Sequence, residues 1–264
     1  IGAGIAGIAC AKKLQENGKK VTILEARSRT GGRIDSLQSD ADVFDLGASW
    51  IHGVEGNPIW EITQENHIAT TVFNYDKSQY FHENGLLFSD KEVQEFESYV
   101  EEIEKQLSQT QTQSALKATE EIISSLHYSG NTFSEDYLKQ LLFNFFNRIA
   151  NDPFATNLEL LSSNYKNYEG YFDGDEVIFP NGYAQVIDVL SKKIDIQFNV
   201  DVKKIICEND YVKIIDSNDN FYIGSRVVVT VPLGALKKHH IAFYPPLRHH
   251  YTQSIQASGF GVFN

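Results

Sequence analysis

The chain has 264 residues, 42 % hydrophobic and 12 % aromatic, with a formal net charge of −12. That length and composition suit about two domains with a real core, and no apolar run is long enough to span a membrane as a helix. The acidic balance argues against gripping a nucleic-acid backbone and favours cationic small molecules. The two cysteines, Cys10 and Cys207, have no metal or disulfide spacing and read as small core residues. That usage fits a reducing compartment, and the cytoplasm is the expected location.

The chain opens on Ile1-Gly2-Ala3-Gly4-Ile5-Ala6-Gly7, a G-x-G-x-x-G spacing. Alone this is a weak signal, but its surroundings agree with it. Ile5, Ile8 and Leu14 form a helical face that stops at Asn17-Gly18. Val21 to Leu24 then reads as a short buried parallel strand closed by Glu25. Glu25 lies 18 residues after Gly7, about where a dinucleotide fold places the acid that holds a ribose. Gly2 allows the tight turn, Gly4 lets the backbone approach a diphosphate, and Gly7 lets the helix pack closely, with Ala6 in the same first turn. The charge of Glu25 would repel a 2′-phosphate. The first strand of such a fold should begin before Ile1, so the natural start is expected upstream.

Arg27-Ser28-Arg29-Thr30-Gly31-Gly32-Arg33 follows, with two glycines for close approach and Arg33 available to neutralise phosphate; Arg29 reads equally well as a solvated loop residue. Val43 to Trp50 is an apolar strand running into small residues, Gly47, Ala48 and Ser49, and then Ile51-His52-Gly53. Asn57-Pro58 opens a helix. Strands are expected at Thr71-Val72-Phe73, at Gln79 to His82 and at Leu86 to Phe88, the last two joined by an Asn84-Gly85 turn. Ser89 and Glu92 form a capping box for a long helix carrying Val93, Phe96, Val100, Ile103 and Leu107 inward. A second helix runs from Ser114 to Leu126. A third starts at Ser134 and is expected to end at Asn151-Asp152-Pro153. Tyr168 to Asp175 mixes aromatics with acids, which suits the passage of an ammonium-bearing chain and equally an ordinary surface loop. Strands at Ile194–Phe198, Val202–Ile206, Tyr211–Ile215 and Phe221–Ile223 follow the helix Ala184–Leu190. Arg226 to Val231 reads as a buried strand ending at Pro232-Leu233-Gly234.

The Arg-x-Gly-Gly-Arg segment resembles the one that follows the second strand in FAD enzymes of the amine oxidase superfamily. Leu46-Gly47-Ala48-Ser49-Trp50-Ile51-His52-Gly53 with Asn57-Pro58 resembles the flavin-contacting segment of polyamine and spermine oxidases. Phe179-Pro180-Asn181-Gly182-Tyr183, Val231-Pro232-Leu233-Gly234 and the tail through Gly259 to Asn264 are similar to the same group. The resemblance implies an α/β protein: a glutathione-reductase-type, Rossmann-like FAD-binding domain (1–70 and 176–234) with an inserted, mostly helical substrate lobe (71–175 and 235–264).

It further implies FAD held by Gly2, Gly4, Ala6, Gly7, Glu25, Arg27, Gly32 and Arg33, with Gly47, Ala48, Ser49 and Trp50 beside the ring. Val202 would lend its backbone to the adenine. His52 and Trp50 would face the substrate, His52 as a polar contact rather than a base. No catalytic nucleophile and no metal set is identified. The implied reaction is oxidation of an amine C–N bond by hydride transfer to flavin N5, with imine hydrolysis and O2 as acceptor. The family's lysine near the flavin falls after Asn264, so this stretch alone is expected not to turn over. The partners implied are a cationic amine and O2, with no nucleic acid and no membrane. An L-amino-acid oxidase or desaturase of the same superfamily stays open, as does a non-catalytic flavin-binding interaction module that would use the acidic helix at 90–107.

Overall fold

Apolar spacing and caps account for the helices. In a computed structural model, which describes residues 1–40, 42–74, 77–110, 114–163, 170 and 172–261, helix α1 spans Ile5–Glu16 and buries Ile8 and Ala11. It ends at Asn17, where Gly18 takes a left-handed φ of +71°. Strands β1 (Thr22–Leu24), β2 (Ser36–Gln38), β3 (Val43–Asp45) and β4 (Trp50–Ile51) follow. Helix α2 (Pro58–Glu65) starts as its sequence requires: the Asn57 side chain accepts from the Ile59 N–H, and Pro58 supplies a pre-set φ. Strand β5 is Thr71–Val72.

Helix α3 (Asp90–Gln109) carries the Ser89–Glu92 capping box, with both reciprocal bonds made. Helix α4 is Ala115–Ser125. Helix α5 (Glu135–Phe154) runs through the expected stop at Pro153. A proline that close to the end removes one donor from the last turn, and the chain leaves the helix just after it. The expected hairpin before α3 is reduced to an isolated antiparallel bridge between Phe81 and Leu87. Its turn is closed by the Gly85 N–H donating to the His82 carbonyl. The readings for Tyr168, Glu169, Tyr171 and 262–264 lie outside the described residues.

Strand β6 (Val177–Ile178), helix α6 (Ala184–Ser191) and strands β7 (Asp195–Gln197), β8 (Val202–Cys207), β9 (Val212–Asp216) and β10 (Phe221–Gly224) come next. Helix α7 (Leu233–Lys237), strand β11 (Ala242–Tyr244) and helix α8 (His249–Ala257) complete the order. Strand β1 pairs parallel with β7, with Ile23 opposite Ile196. Strands β10, β9, β8 and β11 form a four-stranded sheet, antiparallel except for the parallel β8–β11 pair. Strand β6 lies between β4 and β5.

Residues 226–231 depart from the expected strand. Among the described residues the Ile1 amino group donates to the Val228 carbonyl, and the Ile1 carbonyl accepts from the Thr230 N–H. Val227, Val229 and Val231 nevertheless pack on the core, while Val228 is exposed.

The chain divides into two compact units, Ile1–Phe73 with Tyr171–Gly259, and Asn74–Gly170 with Phe260–Asn264. The first differs from the expected 1–70 plus 176–234 for two reasons. Strand β5 pairs with β6, which draws both flanks of the boundary into one sheet. Strand β11 pairs with β8, which ties the stretch after Gly234 to the same unit. Its cores gather Ala3, Ile8, Ile23, Ile51, Val186 and Ile187 in one cluster, and Leu24, Val202, Ile205 and Ile214 in another. The second unit is mostly helical and packs α3, α4 and α5 around Phe96, Ile103, Leu142 and Phe146. Among the described residues no helix is long and apolar enough to cross a membrane.

Candidate functional site

The opening turn is fastened on three sides. The Gly2 N–H donates to the Leu24 carbonyl (2.9 Å), and the Gly31 N–H donates to the Ala3 carbonyl (2.8 Å). The hydroxyl of Thr230 donates to the carbonyls of Ile1 (2.9 Å) and Gly2 (3.3 Å). Glu25 accepts from the Ala3 N–H at Oε2 (2.7 Å) and from the Arg27 N–H at Oε1 (2.9 Å). The acid singled out by its spacing therefore already organises the turn it faces.

The glycines divide by physical role. Gly2 has a φ of +103°, which only glycine adopts freely. A Cβ on Gly7 would collide with the Gly2 carbonyl oxygen, so α1 reaches the turn only as glycine. At Gly4 the nearest atom to a Cβ would be the Gly31 oxygen at 3.8 Å, an ordinary contact. Packing within the chain does not demand glycine there. A Cβ on Gly32 would lie 3.4 Å from the Gly4 Cα, so the two glycines face each other across a bare stretch of backbone. Gly4 is also the N-cap of α1 and supplies no side chain. Among the described residues no side chain caps the first-turn N–H groups at the positive end of the helix.

The three arginines separate as well. Arg29, legible as a loop residue, is half-buried and folded onto its own loop. It donates to the carbonyls of Thr30 (3.0 Å), Gly32 (3.0 Å) and Ile34 (3.4 Å) and pairs with Asp35 at 2.7 Å. Arg27 and Arg33 are exposed; among the described residues the Arg33 guanidinium has no partner.

Beyond Arg33 the chain makes an arch and returns. The Leu46 N–H donates to the Asp35 carbonyl (2.7 Å), and the Ala48 N–H donates to the Arg33 carbonyl (3.3 Å). Gly47 must be small because the Arg33 carbonyl lies against it. That contact within the chain is by itself enough to require glycine here. Ser49 leads into β4, where Trp50 and His52 stack with ring centroids 6.4 Å apart and planes 9° apart, and Phe73 meets Trp50 edge-on at 5.4 Å. The Trp50 indole N–H is buried and, among the described residues, has no acceptor. His52 Nδ1 bonds to Glu176 Oε2 at 2.6 Å, the imidazole 68 % exposed. The chain passing Glu25 also brings up Val202. The Val200 N–H donates to the Glu25 carbonyl and the Asn199 N–H to the Arg27 carbonyl, so β8 begins beside the acid, with Val202 buried among Leu24 and its neighbours.

Sequence reasoning missed four contributors: Arg29 as a brace, Thr230 on the turn, Glu176 beside His52, and the pair Ser36–Asp45 described below. Arg29 finds its partners within its own loop, but the others reach far along the chain, 124 positions in the case of Glu176 and His52. Only spacing that repeats locally leaves a signal.

A glycine turn at a helix N-terminus, followed by a parallel strand that ends in an acid, defines an α/β dinucleotide-binding protein. The chain belongs to the family of flavin containing amine oxidoreductases, whose family model matches residues 5–264. That family has a Rossmann-like FAD-binding fold, and FAD is its cofactor. The chain is 30 % identical to lysine-specific histone demethylase 2 of Homo sapiens, over 99 % of this chain and 33 % of that protein. It is 30 % identical to probable polyamine oxidase 4 of Arabidopsis thaliana and 29 % to polyamine oxidase 3 of Oryza sativa subsp. japonica. Each match spans 100 % of this chain, and 55 % and 57 % of the respective relatives. The chain thus spans about half the length of these oxidases.

Proposed function

We propose that the intact protein is an FAD-dependent oxidase of a polyamine-like amine, with O2 as acceptor. The observation that carries this reading is the bare backbone between Gly4 and Gly32 at an uncapped helix N-terminus. A Cβ would fit at Gly4, yet the space is kept open, which suits a diphosphate. The N–H groups of Ile5, Ala6 and Gly7 would donate to it, and the free Arg33 guanidinium would neutralise it with paired bonds. Each Glu25 oxygen retains accepting capacity beyond its one backbone bond, enough for the ribose hydroxyls. Arg27 and Val202 flank the same end of the site. Gly47, Ala48, Ser49 and Trp50 would border the ring, with the unpaired indole N–H of Trp50 as a waiting donor. When bound, the flavin supplies the two-electron acceptor for the C–N bond.

On the substrate side, Glu176 holds the His52 imidazole by Nδ1 and leaves Nε2 free to meet a polar group. Its carboxylate adds negative charge where a cationic amine would arrive. The test is the visible spectrum of the full-length protein before and after anaerobic spermine. Loss of the flavin band on addition is the expected result; a yellow protein bleached by no amine, or a colourless one, overturns the reading. The demethylase relative at 30 % identity favours one second reading, a methylated lysine side chain as the amine. Bleaching by a dimethyl-lysine peptide but not by spermine or L-leucine would select it.

A further inference from the structure

The arch between Arg33 and Ala48 is bolted at its middle to a distant helix. Ser36 and Asp45 face each other in the β2–β3 register, and the Ser36 hydroxyl donates to Asp45 Oδ1. Asp45 accepts from the Tyr183 N–H at Oδ1 (3.0 Å) and Oδ2 (3.2 Å), and Ser36 Oγ accepts from the Ala184 N–H at 3.0 Å. These two N–H groups open α6, and Tyr183, its N-cap, makes no side-chain cap of its own. The helix is therefore capped in trans, by residues about 140 positions earlier. Gly182 makes the approach feasible: a Cβ there would sit 2.7 Å from Ser36 Oγ. In turn, α6 packs Val186, Ile187 and Leu190 into the cluster that holds Ile8 and Ala11 of α1.

We infer that Ser36 and Asp45 are positioning residues for the cofactor, a point that rests on the function proposed above. The stem of their arch is Arg33, Gly47 and Ala48, and Trp50 follows directly. Through α6 and α1 the trans-cap fixes this ring-side segment relative to the glycine turn that would hold the diphosphate. One rigid link thus sets the distance between the two ends of the flavin site. Neither residue touches the cofactor in this role.

The test measures flavin affinity of the full-length apoprotein, the visible spectrum of the bound flavin and the thermal midpoint. Asp45→Ala is compared with Asp45→Asn and with Ser89→Ala, which removes an ordinary cap from α3 in the other unit. Asp45→Ala should weaken flavin binding about tenfold, the size a lost cap can transmit, and shift the flavin band. Asp45→Asn should restore most of both, because its amide oxygen still accepts from Tyr183. Ser89→Ala should lower the midpoint comparably and leave affinity and spectrum unchanged. Should Asp45→Ala not fold, Ser36→Ala carries the same readouts, since it removes less of the cap. Affinity and spectrum equal to wild type, or changed no more than in Ser89→Ala, overturn the inference. A wild type that binds no flavin overturns instead the function on which it rests.

Discussion

Replacing Glu25 with alanine should destabilise the protein even when no cofactor is bound. The carboxylate has two backbone bonds, and they differ in worth. The Ala3 N–H lies at a fully buried residue (0 % exposed); without an acceptor it bears the cost of an unsatisfied buried donor, about 1–3 kcal/mol. The Arg27 N–H is exposed and turns to water, adding a few tenths. A loss of about 2 kcal/mol follows. With a urea slope of about 2 kcal/mol per molar, the midpoint should fall by about 1 M. Glu25→Gln keeps one acceptor and should recover about half of the loss. The measurement is urea unfolding of the flavin-free full-length protein, followed by circular dichroism, beside flavin retention. If the Glu25→Ala apoprotein unfolds at the wild-type midpoint while losing its flavin, the carboxylate serves only the sugar and the structural argument is wrong.

The neighbouring arginines should divide in the opposite sense. Arg29→Ala, which removes the Asp35 pair and three carbonyl contacts, should lower apoprotein stability by about 1 kcal/mol, the pair being partly screened by solvent. Arg33→Ala should leave that stability within about 0.5 kcal/mol and weaken flavin binding most at low salt; equal stability losses for the two would refute the division. Asp216 supplies an acid test. Burial raises its pKa, but the N–H groups of Asn218 and Asn220, the Asn220 amide and the Tyr222 hydroxyl outweigh it and hold the carboxyl below its usual range. Its contribution is present above the unfolded value near about 3.9 and is lost as pH falls through the lower folded one. Asp216→Asn should therefore flatten the decline of stability over that acid window, and an unchanged acid profile would count against it. Tyr128 and Tyr183 are pushed up to about 12, chiefly by burial. Their contribution is intact below the unfolded value near about 10 and is lost as pH rises through about 12. In an ultraviolet titration Tyr183→Phe should delete one late-ionising phenol; loss of an early one would be inconsistent.

Much of the fold was legible because its signals are local. The span of α1, the Asn57-Pro58 start of α2 and the Ser89–Glu92 box each follow from residues within one or two turns, although Leu14, expected on the inner face of α1, is exposed and Ala11 is buried instead. The β8–β9–β10 meander likewise came from alternation and short turns. What failed depended on a partner. Residues 226–231 are as β-prone as β8, and their alternation does not show what they bond to. Pro153 reads as a stop, but so near a helix end it interrupts too little to act as one. The tail after Gly234 carries no periodicity that says which unit it joins; β11 pairing with β8 decides it.

The same division runs through the site. The sequence alone determined the glycine turn, the helix behind it and the acid one strand later, because helix period, chain reversal and the reach of a strand set those spacings within about 25 residues. Gly31, Gly32 and Arg33 as neighbours of a phosphate are an expectation from the same stretch. Only the tertiary structure decided which arginine is bound and which is free, that Gly47 is small for the sake of Arg33, and that Glu176 belongs to His52. It alone revealed that Ser36 and Asp45 cap a helix far along the chain. Glu176 and Asp45 meet partners 124 and 138 positions away, which impress no period on the sequence between them, while Arg29 turns onto its own loop, where the direction of the side chain rather than any spacing decides.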